Sequence, residues 1–408
     1  GYAVSMVLGG LFFARRMRRL EFTTLLDPFE RRYGKNVASL MFLPALVGEV
    51  FWSAAILVAL GTTFATVLDF DIRTSILISA AVAISYTVAG GLWSVAYTDV
   101  VQLIFMALGL CLAIPFAVSR VGGGSVVLSA AAAKMPGFPQ GMEIWLWVDM
   151  ALLLCLGGIP WQVYFQRVLA ARDERSAMRL SFVAAFGCLL MAIPAVVIGA
   201  VGLAADWSST AAPESPEPAM VLPYVLAYLT PTRVATLGLG AVAAAVMSSV
   251  DSSILSASSM FVWNVYRPRM RPAAGDRELR TLLRGSVIAV GVAATWLALS
   301  VQSVYALWYL CADLVYVILF PQLVMVLYWK HANRSGALAG AVVCLVLRLG
   351  GGEPFLGIPA AIPYPWLAAD GVTTYFPFRT VSMLCGMVTI GLVSRATIRL
   401  DPAVSLTA

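Results

Sequence analysis

Histidine is almost absent: His331 stands alone in 408 residues. One imidazole supports neither a His-based zinc site nor a Ser-His-Asp triad within the chain. Charge is scarce too. Only 12% of residues are charged against 61% hydrophobic, and the mean hydropathy is +0.88. That is too little polar surface to coat a soluble globule of this size, so the chain belongs in lipid. Segments of alternating hydrophobicity are missing, which excludes a β-barrel. Cysteines at metal-type spacing are missing as well. Cys111, Cys155, Cys188, Cys311, Cys344 and Cys385 lie singly in apolar stretches and read as small buried residues.

What is abundant is apolar sequence in runs of membrane-spanning length, about 20 residues each. They fall near 1–14, 37–66, 73–90, 97–118, 146–168, 179–204, 234–263, 283–302, 304–328, 336–350 and 380–395, about eleven spans. Many contain Gly, Pro and Ser, which lipid tolerates because neighbouring helices satisfy the freed backbone groups. The fold class is therefore all-α, a polytopic membrane protein. The net charge of +6 would suggest nucleic acid until the basic residues are located. If Arg15, Arg16, Arg18 and Arg19 are cytoplasmic, alternation of the spans brings Arg31, Arg32, Lys35, Arg172, Arg175, Arg267, Arg269, Arg271, Arg277, Arg280, Arg284, Lys330 and Arg334 to the same side. The other side keeps Arg73, Arg120, Lys134, Arg233, Arg348 and Arg379, the asymmetry that the positive-inside rule demands.

Glu21 to Asn36 is too polar to span and is expected as a cytoplasmic amphipathic helix. The Pro- and Gly-rich segments 120–143, 205–232 and 351–378 form the larger outer loops. No linker divides the chain, which reads as one transmembrane transport domain over 1–395 and a cytoplasmic tail over 396–408. Gly1 is followed at once by an apolar run, so further residues, with at least one more span, are expected upstream.

Four groups of residues carry chemistry. Gly157, Gly158 and Pro160, followed by Trp161 and Gln162, interrupt an apolar helix and free backbone groups at membrane depth, where transporters bind solutes and ions; a proline kink used only for packing would read the same way. On the span 234–263, Ala245, Ser248, Ser249, Ser252, Ser256 and Ser259 share an arc of about 100°. Sodium wants hard oxygen ligands of this kind, although small-residue packing also produces such faces. Asp251 lies about 60° off the arc, and an intramembrane carboxylate calls for a cation, a hydrogen-bond network or a watery cavity. The run Gly90 to Gln102 joins a glycine hinge to a polar patch in which Asp99 is either a gate that pairs with a loop arginine or a helix cap. Finally, Tyr2, Trp52, Trp161 and Trp308 occur inside spans, whereas Trp93, Trp145, Trp147, Trp329 and Trp366 fit interfacial belts.

Together these segments resemble the sodium:solute symporter family, in the Gly-Gly-Leu of Gly90–Leu92, the Thr-Asp-x-x-Gln of Thr98–Gln102, the broken helix, and the Ala-x-x-Ser-Ser of Ala245–Ser249. Within it, Gly48–Trp52, Ser94–Gln102, Gly157–Gln162, Tyr164–Leu169 and Arg348–Pro354 look like the high-affinity choline transporters. The likeness runs from residue 1 to about 395. It implies a LeuT-like fold of two inverted five-helix repeats plus peripheral helices, with the first helix of the first repeat not in this chain, which as it stands should not transport. It implies sodium-coupled, chloride-dependent symport of choline by alternating access in a plasma membrane, or an inner membrane if bacterial. Ala245, Ser248 and Ser249 match sodium ligands, Trp52, Trp161 and Tyr2 match the choline pocket, and Asp251 and Glu353 match acids associated with transport. Gly157, Gly158, Pro160, Asp99 and Glu353 are the residues expected to gate or couple. Cofactors other than the co-transported ions are not expected. The rivals are a sodium symporter for proline, pantothenate or a sugar, and a membrane-embedded enzyme or receptor; the lack of a nucleophile constellation argues against an enzyme.

Overall fold

The computed structural model describes every residue except Asp69, Met135, Pro136, Val372, Thr407 and Ala408, and only the backbone of Val67, Leu68, Gly91, Leu92, Trp93, Ser94 and Ala96. The chain is helical almost throughout. α1 (Tyr2–Leu8) continues through a π-helical turn into α2 (Arg15–Arg19), and α3 (Asp27–Tyr33) precedes the long α4 (Lys35–Leu68) and α5 (Ile72–Arg120). Next come α6 (Gly124–Lys134), α7 (Glu143–Gly157), α8 (Gln162–Ala170), α9 (Glu174–Ala204), α10 (Val221–Leu229) and α11 (Thr232–Met260). The series closes with α12 (Asp276–Val301), α13 (Val304–Leu314), α14 (Phe320–Tyr328), α15 (Arg334–Gly350) and α16 (Phe378–Thr397). The only β pairing among the described residues is two isolated bridges in the segment after α15.

Nine helical stretches are long and apolar enough to cross a membrane among the described residues. The two remaining expected spans are helical as well: Tyr2–Arg19 carries four arginines at its end, and α15 has 17 residues. Two expectations need correction. The segment Glu21–Asn36 is not one amphipathic helix: Asp27–Tyr33 is a short helix, Lys35 and Asn36 already belong to α4, and Asp27 accepts the Thr23 and Thr24 amides, which holds the preceding residues in a turn. Cys111 is exposed rather than buried, on a stretch of α5 whose apolar side chains point outward, and the other five cysteines are buried or half-buried.

The hinge expected at Gly90–Gly91 has helical backbone, yet the chain reverses there. Tyr86 Oη donates to Thr98 Oγ1 at 2.8 Å, whereas twelve residues of straight helix rise about 18 Å. Ile72–Gly90 and Tyr97–Arg120 are thus two spans joined by a tight bend. The interfacial role expected of Trp93 lies outside the described side chains, while Trp145, Trp147 and Trp366 are exposed and Trp329 is half-buried.

Contacts between distant loops sort the chain into two faces. Arg15 and Arg19 pair with Glu174, Arg18 donates to the Ala171 carbonyl, and Asn264 donates to Asp27. Arg32 donates to the Trp329 and Val404 carbonyls and Arg31 to that of Leu406, so the C-terminal segment lies on the same basic face. Asp173, which caps α9 on this face, is held below the usual carboxylate range by the Ser176 hydrogen bonds. Lys134, Asp206 and the segment 351–378 occupy the opposite end of the spans. Between the faces, Val304–Tyr328 is the most enclosed stretch and packs against α4, while α9 turns Val183, Phe186, Leu189 and Ile193 outward as a lipid-facing surface.

This sorting predicts a labelling pattern. In cells expressing the full reading frame, Ser215→Cys should react with a membrane-impermeant maleimide from outside, and Ala273→Cys only after permeabilisation. The reverse pattern would invert the topology.

Candidate functional site

The helix break sits where the sequence places it. α7 ends at Gly157, Gly158–Trp161 is non-helical, and α8 starts at Gln162. Pro160 cannot donate an amide to a continuing helix. The two glycines serve close approach. A Cβ on Gly157 would stand 2.9 Å from Tyr316 Cβ and 3.1 Å from the Ala312 carbonyl, and one on Gly158 would stand 2.5 Å from Ser5 Oγ and 3.1 Å from Tyr2 Cδ1. α1 and the α13 region therefore meet the break directly.

Four aromatic rings gather there. Trp161, the last residue before α8, lies edge-on to Trp52 of α4 with ring centroids 6.4 Å apart and planes at 62°. Tyr2 sits 5.7 Å from Trp308 of α13. Gly48 lets α4 approach the same place, since a Cβ there would be 3.5 Å from Trp161 Cη2 and 3.0 Å from the Cys311 carbonyl. The Trp161 indole N–H is buried without a hydrogen-bond partner among the described residues. The centre thus presents aromatic faces with few polar atoms, an environment suited to a cation that cannot donate hydrogen bonds.

Toward the basic face, α11 delivers its hydroxyls to three neighbours. Ser248 Oγ donates to Asp99 Oδ1 at 2.5 Å, and Ser249 Oγ donates to the Ala245 carbonyl at 3.1 Å. Arg167 Nη2 of α8 donates to Asp99 Oδ2 at 3.1 Å and to Ser252 Oγ at 2.7 Å. Ser259 accepts from Gln166. Ser253 and Ser256 turn instead to Glu49 of α4. Asp251 is fully buried; one oxygen accepts the Ser252 amide, and the other has no hydrogen-bond partner among the described residues. Ala245, Ser248 and Ser249 therefore lie on one patch with Asp99, and the arginine that pairs with Asp99 comes from the broken helix, not from a loop.

Toward the outer end lies a buried ion network. Arg348 bridges Asp313 and Glu353, donating Nε to Asp313 Oδ2 at 2.6 Å and Nη2 to Glu353 Oε2 at 2.6 Å. Arg379 donates to the same Asp313 oxygen at 3.2 Å and faces Asp149 of α7 at 3.7 Å. Asp149 in turn accepts the Thr380 amide and hydroxyl. Glu353 and Asp99 thus occupy opposite ends of the molecule, with the aromatic centre between them. Arg167, Asp149, Asp313 and Arg379 were not singled out from the sequence, although a charge inside an apolar run is a signal that could have found them.

Three comparisons with known proteins agree. A model of the sodium:solute symporter family matches residues 1–344. High-affinity choline transporter 1 of Caenorhabditis elegans is 50% identical over 407 residues, covering 97% of this chain and 70% of that protein. Its human counterpart is 49% identical over 401 residues, covering 95% and 69%. A Vibrio parahaemolyticus sodium/glucose cotransporter is 24% identical over 388 residues, covering 85% and 69%. Among solved structures, a substrate-bound, outward-open Na+-coupled sialic acid symporter superposes with a TM-score of 0.78 over 99% of this chain and 83% of that one, at 18% identity. The chain shares the inverted five-helix repeat fold of that symporter, and its relatives are transporters rather than enzymes.

The outer network yields a stability prediction. Arg348→Met leaves Glu353 buried without an ion-pair partner among the described residues and Asp313 with Arg379 alone, which should cost about 3–5 kcal/mol and lower the thermal stability of the detergent-purified protein. Glu353→Gln keeps the Arg348–Asp313 pair and should cost much less. Equal losses would show that the Arg348–Glu353 contact, which both variants remove, carries the network and that the Arg348–Asp313 pair adds nothing.

Proposed function

The chain belongs to the sodium:solute symporter family, and from that premise we propose that it binds choline at the aromatic centre and sodium on the serine patch of α11, and carries both across the plasma membrane by alternating access. The observation that carries this reading is the edge-on Trp52–Trp161 pair set into a broken helix, with Tyr2 and Trp308 beside it. Choline's quaternary ammonium has no N–H to donate, so recognition falls to aromatic faces, each worth roughly 0.5–2 kcal/mol to a cation. The relatives named for choline support the substrate.

For sodium, the ligand chemistry is hydroxyl and carbonyl oxygen. Ser248 donates its proton to Asp99 and so keeps its lone pairs free to accept a cation. Asp99 lends negative charge to the patch through that bond, and Asp251 adds a second carboxylate within the same network. Arg167 competes for Asp99, which makes this ion pair a natural inner gate. Arg348 and Glu353 would serve the outer one. Chloride dependence is proposed on the subfamily likeness alone.

The test is uptake of labelled choline into cells expressing the full reading frame, with sodium replaced by N-methylglucamine and chloride by gluconate. Uptake should require sodium and fall without chloride. Trp52→Ala and Trp161→Ala should each abolish saturable uptake, while Trp→Phe retains part of it because a π-face remains. Ser248→Ala and Ser249→Ala should raise the sodium concentration for half-maximal uptake. Competition by proline, pantothenate or glucose, with choline inert, would overturn the substrate.

A further inference from the structure

Glu49 lies one helical turn before Trp52 on α4, so the two side chains share a face of the helix. Its carboxylate is 1% exposed. Oε2 accepts from Ser253 Oγ at 2.7 Å and Oε1 from Ser256 Oγ at 2.8 Å, and Ser53 supports Ser253 at 3.0 Å.

What Glu49 lacks is a cation. The buried acids Asp149, Asp313 and Glu353 each face an arginine, whereas Glu49 has hydroxyl donors and no ion-pair partner among the described residues. A buried carboxylate without counter-charge is costly in the membrane interior. Neutral donors offset only part of that cost. In the choline reading the permanently charged group meets Trp52 and Trp161, and Trp52 stands one turn from Glu49 on the same face of α4.

We infer that Glu49 is a specificity-determining residue: its carboxylate supplies the negative charge that makes the aromatic centre select a quaternary ammonium over an uncharged molecule of the same shape. The aromatic rings set the shape and exclude hydrogen-bond donors, and Glu49 sets the sign. The serines of α11 hold both carboxylate oxygens, so the charge is fixed in place without being cancelled. This inference rests on the choline reading.

The experiment measures binding of labelled choline to the purified full-length protein, and its displacement by 3,3-dimethyl-1-butanol, the neutral carbon isostere of choline. Choline binding by the wild type tests the substrate reading by itself, and its absence would overturn that reading and this one together. Given binding, Glu49→Gln should weaken choline by about tenfold or more while the neutral alcohol is little changed, so that the preference for the cation collapses. Glu49→Asp should keep most of that preference because the charge remains. Equal losses for both ligands in Glu49→Gln would reduce Glu49 to a structural pin and overturn the inference. So would an unchanged preference accompanied by a large shift in sodium dependence. Ser256→Ala covers the case in which Glu49→Gln does not fold: removal of one donor makes the charged form of the carboxylate harder to keep, so the preference for choline over the alcohol should fall and be partly restored as the pH is raised, and a preference unmoved at every pH would overturn the assignment.

Discussion

Backbone amides and carbonyls cannot be left unpaired in hydrocarbon, and the break at Gly158–Trp161 exposes several of them at once. Everything near the centre of this molecule follows from how they are enclosed. Two glycines bring α1 and the α13 region into contact with the break. Gln162 accepts the Leu25 amide, tying the inner segment to α8. Because the break is one joint in an otherwise rigid element, its two halves act at opposite ends. α7 takes Asp149 into the outer ion network, α8 takes Arg167 to Asp99, and Trp161 stays at the joint.

The two ion clusters differ in a way that suits alternation. The outer one is buried: Arg348, Asp313 and Glu353 are each 3–5% exposed at their side chains, so separating them would strand charges in low dielectric. At the inner pair, Arg167 and Asp99 are 34% and 25% exposed. Pairs of that kind contribute about 0–1 kcal/mol, and water can replace each partner. Of the two clusters, the yielding contact is therefore the one on the basic face.

Much of this was legible in the sequence, and the limit has a physical cause. The spans, the two faces, the break and the hydroxyl-rich face of α11 are local patterns, fixed by composition and helical period. Asp99 read equally well as a gate or a cap, because its partner Arg167 lies 68 residues away, and no periodicity reports a contact of that kind. Ser253 and Ser256 likewise meet Glu49 across 204 and 207 residues. The bend between Tyr86 and Thr98 was visible as glycine, yet its geometry emerges only from a hydrogen bond that a straight helix forbids. The resemblance to a family supplied roles for Ala245, Ser248, Ser249, Trp52, Trp161 and Tyr2 that local pattern alone could not.

The serines of α11 show why a single face was too simple a description. Small-residue packing and ion binding stood as alternatives for that face, but the hydroxyls point to separate neighbours: Ser248 to Asp99, Ser252 to Arg167, and Ser253 and Ser256 to Glu49. A helix used only for close packing would return its hydroxyls to its own carbonyls, as Ser258 does to Ile254. Hydroxyls given to carboxylates on other helices make α11 the element through which α4, α5 and α8 sense one another. A cation bound at Ser248 and Ser249 would therefore act on the same helix that fixes Glu49 beside Trp52, and the path from ion to substrate is one turn of α11 and one turn of α4.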